Sequence, residues 1–188
     1  MPDSRPVLLV MDFTQGHVER FTAAVSCAEA AARAIRAARL RKIPVMFTRV
    51  GFRPGFPEVA ASNAGFTAAM AQLGDAMHEG HPAGRVYSAF EATEDEPTIT
   101  KRRVSAFSGS DLDVLLRAAR ADSLVLAGIL TSGVVLSTLR QAADLDYHIT
   151  VLSDACGDHD PDVHRILMDK VFPRQAEVTI TEKWIEGL

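Results

Sequence analysis

The stretch that most constrains how this chain can fold runs from Ser123 to Arg140, S-L-V-L-A-G-I-L-T-S-G-V-V-L-S-T-L-R. Leu124 to Ala127 is an apolar run of strand length, Gly128 to Gly133 carries turn chemistry, and from Val134 the apolar positions fall at helical spacing. Strand, tight turn and helix in succession form the repeating unit of an open α/β sheet. In such a sheet the turn after a central strand is where ligands meet backbone N–H groups and the positive end of a helix. A nucleophile would normally stand there, and this chain has Thr131, Ser132, Gly133 and Val134 instead.

The rest of the chain repeats the alternation. Val7 to Met11 is a continuous apolar run, the pattern of a strand buried on both faces, and it stops at Asp12-Phe13-Thr14-Gln15-Gly16-His17. Ala28, Ala31, Ala32, Ile35 and Ala38 follow the helical template, with Arg33, Arg36 and Arg39 on other faces, and Ile43 to Thr48 gives a second strand. A right-handed crossover between two parallel strands is the expected connection. Thr98 to Thr100 is a third strand ending in Lys101-Arg102-Arg103, and Ser110 with Asp113 has capping-box spacing ahead of the stripe Leu112, Leu115, Leu116, Ala119. Ile149 to Leu152 and Val178 to Ile180 supply two further strands. Asp160 and Pro161 open a helix through Val171, and a helical tail surrounds Trp184. The fold class is therefore α/β, a single domain over 1–188.

Residues 51–97 break the pattern. Half of the 12 glycines lie there with Pro54, Pro57 and Pro82, and only Phe66, Ala69, Met70 and Leu73 keep the spacing of one short helix. Excursions of this length in a compact domain are commonly lids or binding loops.

Composition excludes several classes of function. The formal net charge is −4 and the 20 Lys and Arg residues are dispersed, so nothing marks a nucleic-acid or anionic-membrane surface. The expected partner is a small molecule. Cys27 and Cys156 form no C-x-x-C pair and are too few for a disulfide scaffold, which fits a reducing cytoplasm. No run of the roughly 20 apolar residues needed for a membrane span is present, nor a signal-peptide pattern. Motifs for dinucleotides, for a phosphate loop, for H-E-x-x-H zinc and for a G-x-S-x-G elbow are absent. What remains is a set of polar residues that three strands deliver to one edge: Asp12, Lys101 and the turn Leu130 to Val134.

That constellation, with the words V-L-L-V-M-D-F, T-K-R-R-V-S-A-F, L-V-L-A-G-I-L-T-S-G-V-V-L-S-T and V-L-S-D-A-C, resembles the isochorismatase-like hydrolases, which include nicotinamidases and N-carbamoylsarcosine amidohydrolases. The resemblance covers nearly the whole chain. It implies a three-layer αβα domain with a six-stranded parallel, Rossmann-like sheet in the order 3-2-1-4-5-6, placing Asp12 and the Leu130 to Val134 turn at one crevice. It also implies a cis peptide between Ile129 and Leu130, and a homo-oligomer, dimer or tetramer, for which Phe52, Phe56 and Phe66 offer contact surface. In the amidohydrolase branch the catalytic trio is Asp, Lys and Cys. The first two fall on Asp12 and Lys101 and the third on Val134, whose isopropyl group can neither attack a carbonyl nor be activated by a base. The isochorismatase branch also lacks the cysteine and works with the acid and the lysine. The metal cluster of the nicotinamidases is replaced by Thr48-Arg49-Val50-Gly51-Phe52-Arg53, so no metal and no other cofactor is expected.

The bland reading of Asp12 is a solvated strand-end carboxylate capping a turn, and that of Lys101 a member of an ordinary basic run. Gln15, His17 and Phe107 are candidates for lining the pocket, with Leu130 and Thr131 in the turn. Cys156, after the fifth strand at the same edge, is a displaced nucleophile or an inert packing residue. Ser132 stands two positions before the family's nucleophile. The function expected is hydrolysis of a small molecule, an enol ether, amide or related bond, by cysteine-independent Asp12/Lys101 acid–base chemistry with turn N–H groups steadying the developing anion. The alternative is a catalytically silent member that binds a small molecule or serves in assembly.

Overall fold

Apolar runs bounded by polar punctuation become strands: β1 (Pro6–Met11), β2 (Val45–Val50), β3 (Thr98–Lys101), β4 (Ser123–Ile129), β5 (His148–Gly157) and β6 (Glu177–Thr179). A computed structural model describes residues 4–188. All neighbouring strand pairs are parallel and the sheet order is 3-2-1-4-5-6. The chain steps outward from β1 to β3, then returns to place β4 against the other side of β1. The carboxyl ends of β1 and β4 thus meet where the winding reverses, the position at which open α/β sheets leave a crevice.

The helices are α1 (Gln15–Arg20), α2 (Ala24–Leu40), α3 (Ala64–Leu73), α4 (Leu112–Ala118), α5 (Leu136–Asp144), α6 (Pro161–Ile166) and α7 (Thr181–Glu186). Alternation along β1 shows how they divide. Leu8 and Val10 face a core built with the alanine stripe of α2 and with Trp184 of α7, whereas Val7, Leu9 and Met11 face one built with Leu112 and Leu116 of α4 and Leu139 of α5. A strand buried on both faces has no polar side to show, which is why these runs lack a period of two.

Three local expectations are corrected. β5 extends through Ser153-Asp154-Ala155-Cys156-Gly157 rather than ending at Leu152, after a register irregularity between Leu126 and Gly128 of its neighbour. Asp154 interrupts the apolar run because its carboxylate accepts from Thr181 N at 2.7 Å and Thr181 Oγ1 at 2.8 Å, holding the start of α7. The Ser110–Asp113 capping box does not form. Asp111 occupies the N-cap of α4, while Ser110 Oγ accepts from Leu112 N at 3.3 Å and donates to Ala106 O at 2.6 Å. The helix opened by Asp160 is regular only to Ile166, after which Leu167–Val171 widens into a π-type turn.

The excursion is built into the domain. Phe52 is fully buried, with its ring edge-on to Phe66 at 5.3 Å and tilted against Phe56 at 5.9 Å, and with Met77 they form a third, smaller core. This removes Phe52 and Phe66 from the contact surface assigned to them from sequence. Polar ties close the same segment: Arg102 pairs with Glu79 and with Gly51 O, and Arg103 Nη2 donates to Glu58 O at 2.9 Å. No helix of the described residues is long and apolar enough to cross a membrane.

Candidate active site

β1 ends because Asp12 enters the left-handed region, φ 60°, a conformation that Asp tolerates better than most side chains. Its N–H still donates to Thr48 O of β2 at 3.0 Å, so the ladder continues through the residue whose backbone turns the chain away. Its carbonyl then accepts from Thr14 N at 2.8 Å and from His17 Nδ1 at 3.2 Å, fixing the start of α1.

The Asp12 carboxylate is held from two neighbouring strand ends. Thr48 Oγ1 donates to Oδ1 at 3.0 Å, and Lys101 Nζ lies 2.9 Å from Oδ2. The Lys101 side chain is 1 % exposed, and its ammonium also donates to Arg103 O at 3.1 Å and Val104 O at 3.0 Å. Two of the ammonium's three donors go to these carbonyls, and its charge is paired with the Asp12 carboxylate. A buried charge survives only when paired and hydrogen-bonded in this way. The Lys101-Arg102-Arg103 run is thus divided: Lys101 turns inward to the carboxylate, and Arg102 and Arg103 tie down the excursion.

Asp12 opens onto a cleft of about 190 Å³ whose wall includes Thr14, His17, Arg20, Val50, Phe66 and Met77. The third core of the excursion therefore lines it. Burial lowers the His17 pKa below the ordinary histidine value, against the opposing pull of the Asp12 carboxylate. A larger groove of about 630 Å³, lined by Arg53, His78, His81 and Arg102, lies elsewhere on the excursion and does not include Asp12. Arg49 points its guanidinium to Thr100 Oγ1 at 3.1 Å and Gly84 O at 3.3 Å. Among the described residues no group of three or more His, Cys, Asp and Glu side chains could hold a metal ion.

The turn after β4 is less open than its sequence implies. The Ile129–Leu130 peptide is cis. Val134 is 2 % exposed and packs in the core with Val135 and Leu139. Thr131 is buried, and its hydroxyl shares a 2.8 Å hydrogen bond with His164 Nδ1. Ser132 N donates to Asp158 Oδ2 at 2.7 Å, while Gly133 N and Val135 N both donate to Leu130 O, at 3.1 and 3.3 Å. Within the turn the N–H groups of Ser132 and Gly133 are therefore already occupied, which leaves those of Leu130, Thr131 and Val134 as its candidates for a developing anion. None of Leu130, Thr131 and Val134 lines the Asp12 cleft.

Phe107 is likewise absent from the cleft. Ser105 Oγ donates to Gln141 Oε1 at 2.7 Å and Ala106 N to Thr138 Oγ1 at 2.9 Å, so the loop after Lys101 turns under α5 and sinks Phe107 into the core, 6.3 Å from the Tyr147 ring. Gln15 points its amide to Glu19 at 2.7 Å rather than into the cleft. Cys156 is buried with its thiol pushed up by desolvation, and Cys27 Sγ donates to Cys156 O at 3.2 Å, so both are packing residues. Thr48, Arg20 and the clamp residues Asp158 and His164 escaped sequence reasoning. For Thr48 a signal was present, its position at the polar end of an apolar run beside Asp12.

The Isochorismatase domain model matches residues 6–183. This chain belongs to the isochorismatase family. It is 31 % identical over 145 residues to the uncharacterized isochorismatase family protein YecD of Escherichia coli O157:H7, covering 77 % of this chain and 74 % of that one. Over 189 residues it is 26 % identical to the maleamate amidohydrolase of Pseudomonas putida, covering 98 % and 87 %. In fold it matches an isochorismatase family protein from Desulfovibrio vulgaris with a TM-score of 0.88 over 98 % of both chains, at 20 % identity. Hydrolases are thus among the relatives of this isochorismatase-family domain, and Val134 lies inside the matched region.

His17 and His164 give the fold a pH dependence. Burial lowers both pKa values, opposed for His164 by Asp158 and Asp169, so the native state favours neutral imidazoles and the unfolded chain takes up protons first on acidification. Stability is expected to be intact above about pH 6.5, the unfolded histidine value, and to fall as pH drops through the lower native values. Thermal melts should show a shallower decline between about pH 6.5 and 5 for the His17→Gln/His164→Gln double variant. An identical decline in both proteins would remove these histidines as its source.

Proposed function

We propose that this isochorismatase-family domain hydrolyses a small molecule through Asp12 and Lys101, without a covalent thioester. The observation that carries the reading is the Asp12–Lys101 pair at 2.9 Å, with the carboxylate on the cleft and the lysine buried behind it. Asp12 has spare acceptor capacity beyond Thr48 and Lys101, because an ionised carboxylate offers about four lone-pair sites. It can therefore accept a proton from an attacking water and return it to the leaving group. Lys101, buried and paired with the carboxylate, supplies fixed positive charge beside it. The scissile bond is an amide, ureide or enol ether, and likeness to a maleamate amidohydrolase puts amides among the first substrates to try.

Buried Val134 and the occupied N–H groups of Ser132 and Gly133 favour a second reading, a silent member that binds without turnover. A hydrolase panel of amides, ureides and enol ethers separates the two. The expected result is turnover of at least one class, lowered roughly a hundredfold or more by Asp12→Asn, the usual scale for loss of a general acid or base. Turnover unchanged by Asp12→Asn would move the chemistry elsewhere, and ligand binding without turnover would favour the silent member.

A further inference from the structure

His17 lines the Asp12 cleft with one ring nitrogen tied to a partner that only accepts. That partner is the main-chain carbonyl of Asp12, 3.2 Å from Nδ1, and a carbonyl oxygen has no proton to give, so Nδ1 carries the hydrogen. In a neutral imidazole Nε2 is then a bare lone pair. No group among the described residues hydrogen-bonds to it, and it is not sealed in the core: among those residues the buried side-chain nitrogen or oxygen left without a partner is His78 Nε2. Because the ring is tied to the main chain of the residue that carries the carboxylate, one backbone unit positions both groups.

The surroundings of the ring keep it neutral. Asp12, Arg20 on its own helix and His159, whose ring centroid lies 6.4 Å away, are the titratable groups that face it. Burial is the largest influence and disfavours the imidazolium, Arg20 and His159 act with it, and Asp12 opposes. The Asp12 carboxylate is itself compensated by Lys101 at 2.9 Å. Of the elements packed on α1, the Pro82–Gly84 turn has no titratable side chain and α2 none that acts on the ring.

We infer that His17 is a further catalytic residue of this cleft, one that orients the attacking water by accepting one of its hydrogens at Nε2 while the Asp12 carboxylate accepts the other. The inference rests on the hydrolase reading and adds a second acceptor to it. A water held by both hydrogens has its oxygen lone pairs left for the scissile carbon, whereas one held by a single hydrogen bond still turns about it. The O–H facing Asp12 breaks as the new C–O bond forms, and its proton passes through Asp12 to the leaving group as the bond to that group breaks. The O–H facing His17 stays with the product, so His17 ends as it began.

Two substitutions separate Nε2 from the rest of the ring. His17→Asn keeps an amide N–H near the place of Nδ1 and removes everything beyond it, whereas His17→Gln sets an amide, with its acceptor oxygen, near the place of Nε2. On a substrate from the hydrolase panel, His17→Asn is expected to lower kcat about tenfold with KM nearly unchanged, and His17→Gln to recover part of the loss. Wild-type kcat should fall below about pH 6.5 as Nε2 takes up a proton and stops accepting, and His17→Asn should lack this limb. Histidine nitrogen chemical shifts of the ligand-free wild type at about pH 8 are expected to show His17 protonated at Nδ1 and bare at Nε2. A proton on Nε2 there overturns the inference whatever the kinetics. Turnover that needs Asp12 yet keeps its rate and pH profile in His17→Asn overturns the inference alone, whereas no turnover of any substrate removes the hydrolase reading and this role with it.

Discussion

A Lys101→Met variant is expected to lose about 3–5 kcal/mol of stability, because it leaves the Asp12 carboxylate facing Thr48 alone. The lysine side chain is 1 % exposed and that of Asp12 13 %, so little solvent is available to replace the lost ammonium. Two carbonyls, Arg103 O and Val104 O, lose their donor as well. Removing both charges should be far milder. The Asp12→Asn/Lys101→Met double variant replaces the pair by a neutral amide and a thioether of similar length, and breaking one member of a buried pair costs more than removing both. Urea denaturation of the wild type, both single variants and the double variant measures the coupling between the two sites. A cost near that of an exposed pair, below about 1 kcal/mol for Lys101→Met, would contradict this picture of the site.

Phe52→Ala is expected to cost about 3–5 kcal/mol, the range for emptying a fully buried phenylalanine site. The lost ring is the one that Phe56 and Phe66 pack around, so the third core loses its centre. Because Phe66 and Met77 also line the Asp12 cleft, the same variant should weaken ligand binding there while the sheet and its two larger cores persist. Denaturant melts paired with ligand titration test both halves. A variant of unchanged stability and altered oligomeric state would instead return Phe52 to an interface between copies.

Much of this architecture is written in short-range pattern. A continuous apolar run buried on both faces needs helices on either side, and the alternation of such runs with helical periodicity calls for parallel strands joined by crossovers. Asp12 and Lys101 were legible for the same reason: each is the first charged residue at the end of a strand-like run, and parallel strands deliver such residues to one edge. Their order across the sheet came from likeness to a family, and the topology agrees with it.

The sequence by itself determined the strands, the edge on which charge collects and the absence of a thiol at position 134. Only the tertiary structure decided which groups are in use. The choice of Lys101 over Arg102 and Arg103 for the carboxylate depends on the register Val50↔Lys101 and on where the following loop folds back, neither of which a basic run encodes. Phe107 follows Lys101 closely in sequence, yet goes to the core because Ser105 and Ala106 are tied to α5, more than 30 residues further along the chain. Likewise the N–H groups of Ser132, Gly133 and Val135 look available in sequence, and Asp158 and Leu130 take them. Periodicity reports which face of an element is buried. Which polar atom meets which depends on contacts between residues far apart in the chain, and those exist only once the sheet has been assembled.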